Sequence, residues 1–347
     1  MDSWEGGPLR LEWRPFRFTF HAPLRNARGE LKGKEGWLLR LETEQGAVGW
    51  GEAAPLAAGP LAGAGTDFQT PLRQALAEVG NSRERSDLER LLPGLPPTMA
   101  FAIGAALAEL DGWAGSLGGG WLPPPPAARL LPAGEAMLDR LEEVVAEERS
   151  AKPSSAGSGA TPRSLTVKWK VAALDDTTER NLLELLLERL PPGSSLRLDA
   201  NGGWDRCTAT AWAERLAPDP SLEWLEQPLP ASDLEGLELL ARNVPVALDE
   251  SLQWNGSLRA TWDGWQIRRP SQDGDLRPLL RQLQTGAPRL ALSTAFETGI
   301  GRRWLHHLAA LQAAGPFPTA PGLAPGWCPD GPLFSEDPAL VWAAATL

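Results

Sequence analysis

Tyrosine is missing altogether from this chain of 347 residues, and cysteine and histidine are scarce. The two cysteines, Cys207 and Cys328, cannot build a disulfide framework and neither belongs to a CxxC pair, so a reducing compartment is expected. None of the histidines, His21, His306 and His307, stands at the end of a strand-like segment, which sets imidazole aside as a candidate group. The start, Met1 to Gly7, lacks a basic stretch followed by an apolar one, so no signal peptide is expected. The most apolar run, Met99 to Leu110, is too short to span a bilayer. A net charge of −11 opposes binding to nucleic acid or to an anionic membrane. The expectation is a soluble cytoplasmic protein with neither kind of partner, of an oligomeric state that the sequence leaves open.

What is present describes a globular protein. Charged residues at 22% and hydrophobic residues at 42% are enough for the body to fold unaided, and the length allows one large domain or two. Alternating apolar residues over Leu9 to Phe20, Glu35 to Glu42 and Ala47 to Glu52 predict antiparallel strands, with a turn near Gly46 and a polar loop over Arg25 to Lys34. Helical patterning starts near Thr66, resumes at Ser86, breaks over Pro93 to Pro97 and continues from Thr98 to Leu117. Residues 1–120 therefore read as an α+β domain, with Gly118 to Pro126 as a junction. A second domain is expected over 121–324, with residues from about 325 to 347 packing back on the first. Residues 151–163 are a low-complexity insertion in a connection.

From Arg129 the pattern is strand, helix, strand. Strands are predicted at 165–170, 195–200, 222–227, 244–250, 264–269 and 289–293, with helices at 175–190, 205–217, 232–242, 254–261, 274–285 and 299–314 between and after them. Thr319 to Leu323 stands where an eighth strand or its remnant belongs. The fold class that fits is α/β, a (β/α)8-type barrel (a modified TIM barrel) with an N-terminal α+β capping domain, and its active site is expected at the strand C-termini. A doubly wound sheet is the alternative, but its glycine-rich phosphate turn is not visible.

Asp199, Glu226 and Asp249 each close a strand, which in a barrel aims all three into one pocket. Three carboxylates with room for water suit a hard divalent ion, Mg²⁺ above others. The bland alternative is that each acid caps the helix that follows. Asn201, two residues beyond Asp199, shares its side of the chain and would orient a metal-bound water or the substrate. Lys168 and Lys170 are also two apart and face one side of a strand. A lysine aimed into a barrel mouth beside a divalent cation has its pKa lowered and becomes usable as a base.

In this order and spacing, Lys168-Trp-Lys170, Asp199-Ala-Asn201, Glu226-Gln-Pro228 and Asp249-Glu-Ser251 resemble the enolase superfamily over nearly the whole chain. Gly49-Trp-Gly-Glu52-Ala-Ala-Pro55 falls in a part similar to that superfamily's capping domain. Within it the chain looks like the muconate-lactonizing-like subgroup. It is most similar there to the branch that dehydrates a hydroxycyclohexadiene carboxylate for quinone synthesis, over Leu165 to Val171, Leu196 to Trp204 and Ser293 to Gly301. The resemblance implies a lyase acting on a small carboxylate with Mg²⁺, for which Mn²⁺ is a possible substitute. It implies Lys170 as general base assisted by Lys168, Asp199, Glu226 and Asp249 as metal ligands, Ser293, Thr294 and Gly322 around the substrate, and closure of the 25–34 loop over it.

One departure bears on the reaction. Members of the superfamily usually carry a second lysine before the proline that ends the sixth strand, and here that place reads Arg268-Arg269-Pro270. Counting back from the proline selects Arg269 as the inward residue, and a slip of one would select Arg268. Arginine stays protonated, so it cannot serve as a base, although it can pair with a carboxylate or stack on a ring. A racemase or epimerase of this type needs a base on each face of the substrate carbon. A dehydration that returns the proton to a hydroxyl leaving from the same face needs only one. The competing expectations are an N-acylamino acid racemase, dipeptide epimerase or muconate cycloisomerase on the same scaffold, or a noncatalytic barrel that binds a small acid.

Overall fold

The computed structural model of the chain describes residues 7–26, 29–56, 69–115, 118–150 and 165–345. They fall into two compact units, one of Met1–Arg25, Gly29–Pro126 and Arg268–Leu347, the other of Asn26–Arg28 and Ala127–Ile267. The expected low-complexity insertion over 151–163 lies outside the described residues.

The first unit opens with strands β1 (Leu9–Asn26), β2 (Gly29–Glu42) and β3 (Val48–Ala53), then helix α1 (Gln69–Val79), the short strand β4 (Ser82–Arg83), and helices α2 (Arg85–Leu91) and α3 (Pro97–Leu110). The sheet order is β3-β2-β1-β4. Leu9 and Leu11 of β1 and Leu39 and Leu41 of β2 put their alternate side chains into one core with Met99, Ile103 and Ala106 of α3. Helix and sheet approach closely because β3 carries Gly49 and Gly51. A Cβ on either would lie 2.1 Å from a carbonyl oxygen of α3. The polar stretch expected as a loop over 25–34 is instead extended: β1 reaches Asn26 and β2 starts at Gly29, with residues 27 and 28 outside the described set. Glu30, Lys32 and Lys34 alternate with Leu31 and Gly33, and a period of two written mostly in charges reads as a loop. Helix α3 stops at Leu110, well short of Leu117, because Gly112 takes φ 71° just past its end.

The second unit runs β5 (Arg129–Leu131), α4 (Ala136–Ser150), β6 (Thr166–Lys170), α5 (Asp176–Arg189), β7 (Ser195–Asp199), α6 (Arg206–Leu216), β8 (Leu222–Glu226), α7 (Leu234–Leu240), β9 (Val246–Leu248), α8 (Glu250–Trp254), α9 (Leu258–Thr261) and β10 (Trp265–Arg268). The strands pair in parallel in their order along the chain. In β6, Val167 and Trp169 point into the core with Leu182, Leu186 and Trp212 of the helices, which leaves Lys168 and Lys170 on the other face. Asp175, Asp205 and Asp233 accept hydrogen bonds from the first turns of α5, α6 and α7. The single helix expected over 254–261 is two short ones, separated at Asn255-Gly256.

The chain then returns to the first unit with α10 (Leu276–Thr285), β11 (Leu290–Leu292), α11 (Gly299–Ala314) and α12 (Pro338–Ala344). Ser293 N donates to Arg268 O at 2.9 Å, Gly322 N to Leu292 O at 2.7 Å and Thr294 N to Gly322 O at 3.0 Å. The eighth strand is thus reduced to one bridge, Ser293 with Gly322. Phe334, Val341 and Trp342 near the C-terminus share a core with Phe16, Phe18 and Phe20 of β1.

Candidate active site

Parallel pairing sets Lys170 of β6 opposite Asp199 of β7, and Asp199 opposite Glu226 of β8. Asp249 follows the last residue of β9. The three acids are 0–2% exposed. Lys168 Nζ lies 2.6 Å from Glu226 Oε1 and 2.7 Å from Asp199 Oδ2, and Lys170 Nζ lies 2.6 Å from the same Asp199 oxygen. Lys170 also donates to Asn201 Oδ1 at 2.9 Å, and Asn201 Nδ2 donates to Glu250 Oε1 at 3.0 Å. The second unit therefore brings together six of the expected residues, Lys168, Lys170, Asp199, Asn201, Glu226 and Asp249. These acids are not helix caps: Asp249 stands at the N-cap position of α8 without a side-chain cap bond, and the capping is done by other aspartates.

Charge explains the protonation of the array. Burial opposes the charge on Asp199, but Lys168 and Lys170 hold its carboxyl well below the usual range. Burial, and then the Asp199 charge, push the Glu226 carboxyl up. Burial would likewise lower the Lys168 ammonium, yet Asp199, Glu226 and Asp249 outweigh it and raise its pKa. Acids outnumber lysines here, and the two neighbouring carboxyls shift in opposite directions, Asp199 down and Glu226 up. Among the described residues no three His, Cys, Asp or Glu side chains are drawn together tightly enough to hold a metal ion. The Lys168 ammonium is itself the cation that Asp199 and Glu226 contact. In donor chemistry the three buried carboxylates fit a hard divalent ion, since all offer oxygen and together carry more negative charge than the lysines neutralise.

Sequence reasoning missed two residues here. Gln227 is fully buried, and its Oε1 accepts from Asp249 N at 3.2 Å and Ser251 N at 3.0 Å, so it holds the backbone that presents Asp249. Asn201 and Gln227 both take left-handed backbone, φ 47° and 40°, two residues and one residue past the ends of β7 and β8. The signal for Gln227 was its place in Glu226-Gln-Pro228. Arg197 lies two residues before Asp199 on the same face of β7, buried, with its guanidinium 4.0 Å over the Trp224 ring and its Nε 2.7 Å from Glu223.

The other four expected residues belong to the first unit. Arg269 donates from its guanidinium to the carbonyl of Thr294. Arg268 is paired with Asp273 at 2.6 Å. Ser293 and Thr294 are buried at the end of β11, and Ser293 Oγ donates to Gly322 O at 3.3 Å.

Residues 160–261 match the family described as Enolase C-terminal domain-like. The o-succinylbenzoate synthase of Thermosynechococcus vestitus is 32% identical over 86% of this chain and 88% of its own. The crystal structure of o-succinylbenzoate synthase from Thermosynechococcus elongatus BP-1, complexed with Mg in the active site, superposes with a TM-score of 0.76 at 30% identity, over 96% of this chain and 99% of that one. The L-Ala-D/L-Glu epimerase of Bacillus subtilis is 27% identical over 70% of this chain and 67% of its own. The fold class is accordingly the expected one, a modified TIM barrel with an N-terminal α+β capping domain.

Proposed function

Since the chain belongs to the o-succinylbenzoate synthase family, lyases of the enolase superfamily, we propose that it dehydrates 2-succinyl-6-hydroxy-2,4-cyclohexadiene-1-carboxylate to 2-succinylbenzoate, a cytoplasmic step of menaquinone or phylloquinone biosynthesis. The observation that carries this reading is the array of two lysines on one strand against acids on the next strands, with Lys170 held between Asp199 and Asn201.

Asp199, Glu226 and Asp249 are assigned as ligands of Mg²⁺, or of Mn²⁺ in its place. When bound, the ion supplies Lewis-acid stabilisation of negative charge developing on the substrate carboxylate, worth several kcal/mol. Lys170 removes the proton next to that carboxylate. As an ammonium it then hands the proton to the hydroxyl leaving from the same face, so one lysine serves both halves of the elimination. Lys168, in contact with Asp199 and Glu226, keeps a positive charge beside the reacting carboxylate. Asn201 orients Lys170 through its side-chain oxygen. Arg269, Ser293, Thr294 and Gly322 are assigned to the substrate. Arg269 cannot be a base, which favours dehydration over epimerisation.

The test is an ultraviolet assay with Mg²⁺ and the cyclohexadiene carboxylate, following loss of the diene. Lys170→Ala should lower turnover by roughly 10²- to 10⁴-fold. Absence of turnover by the wild-type protein overturns the reading, and epimerisation of dipeptides or N-acylamino acids would replace it.

A further inference from the structure

Apart from the lysine and carboxylate array, the most deeply buried cluster of opposite charges among the described residues is Lys34 of β2, Glu52 of β3 and Glu297, two residues before α11. All three are at least nine-tenths buried, in the first unit. Lys34 Nζ lies 3.6 Å from Glu52 Oε1, beyond hydrogen-bond length, and neither atom has a hydrogen-bond partner among the described residues. The other Glu52 oxygen accepts from Thr298 N at 2.9 Å, Thr298 Oγ1 at 2.6 Å and Gly301 N at 3.2 Å. Glu297 Oε1 accepts from Ser271 Oγ at 2.7 Å and Ala295 N at 2.9 Å, and its Oε2 accepts from Thr294 Oγ1 at 2.7 Å.

These contacts surround Arg269. Thr294 is the residue whose carbonyl receives the Arg269 guanidinium, and Ser271 lies two residues after Arg269 in the turn begun by Pro270. One carboxylate therefore grips the chain on both sides of that contact. Gln272, next in the turn, donates to Ala54 O at 3.0 Å and accepts from Leu56 N at 2.8 Å. We propose that Glu297 is a positioning residue for Arg269; this rests on the function proposed above.

The physical case has two parts. Ala295 N can only donate, so Glu297 Oε1 must accept, and the Thr294 hydroxyl, which already accepts from Phe296 N at 2.8 Å, gives its proton to Oε2; a glutamine would set an NH₂ against that hydroxyl, reverse the bond and remove the charge that strengthens all three. A buried carboxylate also needs a positive charge in reach, and the Lys34 ammonium, 3.6 Å from Glu52, acts on both carboxylates. Burial opposes ionisation of Glu297, but Lys34 together with Ser271 and Thr294 holds its carboxyl below the usual range, whereas burial raises that of Glu52.

The test is a double-mutant cycle of Glu297→Gln and Arg269→Ala in the diene assay, with thermal midpoints measured alongside. Glu297→Gln alone should lower kcat on the order of 10-fold. In the Arg269→Ala background it should change kcat by less than about twofold, while the thermal midpoint falls equally in both backgrounds. Equal fold-losses of kcat in both backgrounds would make Glu297 merely structural and sink the proposal. A crystal structure of Glu297→Gln answers without the reaction: a guanidinium displaced from the Thr294 carbonyl is expected, and an unmoved one overturns the proposal even if the wild type turns over no diene. Should that variant fail to fold, Ser271→Ala removes the hydroxyl that donates to Glu297 Oε1, and the same readings apply.

Discussion

Glu109 of α3 measures how far burial moves a single group. It faces the buried Arg303 of α11, whose guanidinium lies 4.6 Å over the Trp121 ring. Burial pushes the Glu109 carboxyl from its ordinary 4.5 up to about 7 despite that partner, and it lowers Arg303 as well. The sign follows from linkage. Between pH 4.5 and 7 the unfolded chain has released a proton that the folded chain retains, so this group's contribution is full below 4.5 and is lost as pH rises to 7. Across that window the stability of Glu109→Gln relative to wild type should rise on the order of 3 kcal/mol in urea unfolding. A flat difference would mean that Arg303 keeps Glu109 charged. At this scale the candidate site was legible in part. Lys168 and Lys170 two apart on a strand carry their facing in their spacing, as do Asp199 and Asn201. The choice between Arg268 and Arg269 was not legible, because it depends on Asp273 and Thr294 as partners. Lys34 read as one more charge in a polar loop, and nothing near it in sequence announces Glu52 or Glu297.

Among the helices, α6 depends on one side chain. Trp212 is fully buried, stacks on Trp204 at 4.9 Å, lies 6.3 Å from Trp169 of β6, and donates from Nε1 to Asp176 Oδ1 at 2.7 Å in the first turn of α5. It ties a strand and two helices together, so Trp212→Ala should cost about 3–5 kcal/mol in denaturant unfolding. Trp212→Phe, which loses the N–H and some area, should cost about 1–2 kcal/mol. Near-equal losses would place the stabilisation in the hydrogen bond and not in the packing. The strands and helices of the second unit were readable because each apolar face repeats at its own period, two or 3.6. The elements misread are those whose period is disguised or cut short. The charged alternation that carries β1 and β2 through the expected loop is one, and the glycine end of α3 another.

For the molecule as a whole, the site is a store of unbalanced charge. Asp199, Glu226, Asp249 and Glu250 stand around the ammonium groups of Lys168 and Lys170. A divalent ion taken up by the folded state alone should therefore stabilise it, by about 2.7 kcal/mol at a hundredfold excess over Kd. Scanning calorimetry should show a Mg²⁺-dependent rise in Tm, measured against sodium chloride at matched ionic strength, that is largely lost in Asp249→Asn. Equal shifts in the two proteins would remove Asp249 from the ligand set. What the sequence determined by itself was everything that is a local repeat: the fold class, the succession of strands and helices, and which residues end strands with a charge. Those follow from burial on one face, which neighbouring residues record. Tertiary structure alone decided which charge meets which. The Lys168 bridge between Asp199 and Glu226, the hold of Gln227 on Asp249 and the burial of Lys34 against Glu52 join residues far apart in the chain, and the free energy of a buried charge depends on those partners and not on its neighbours in sequence.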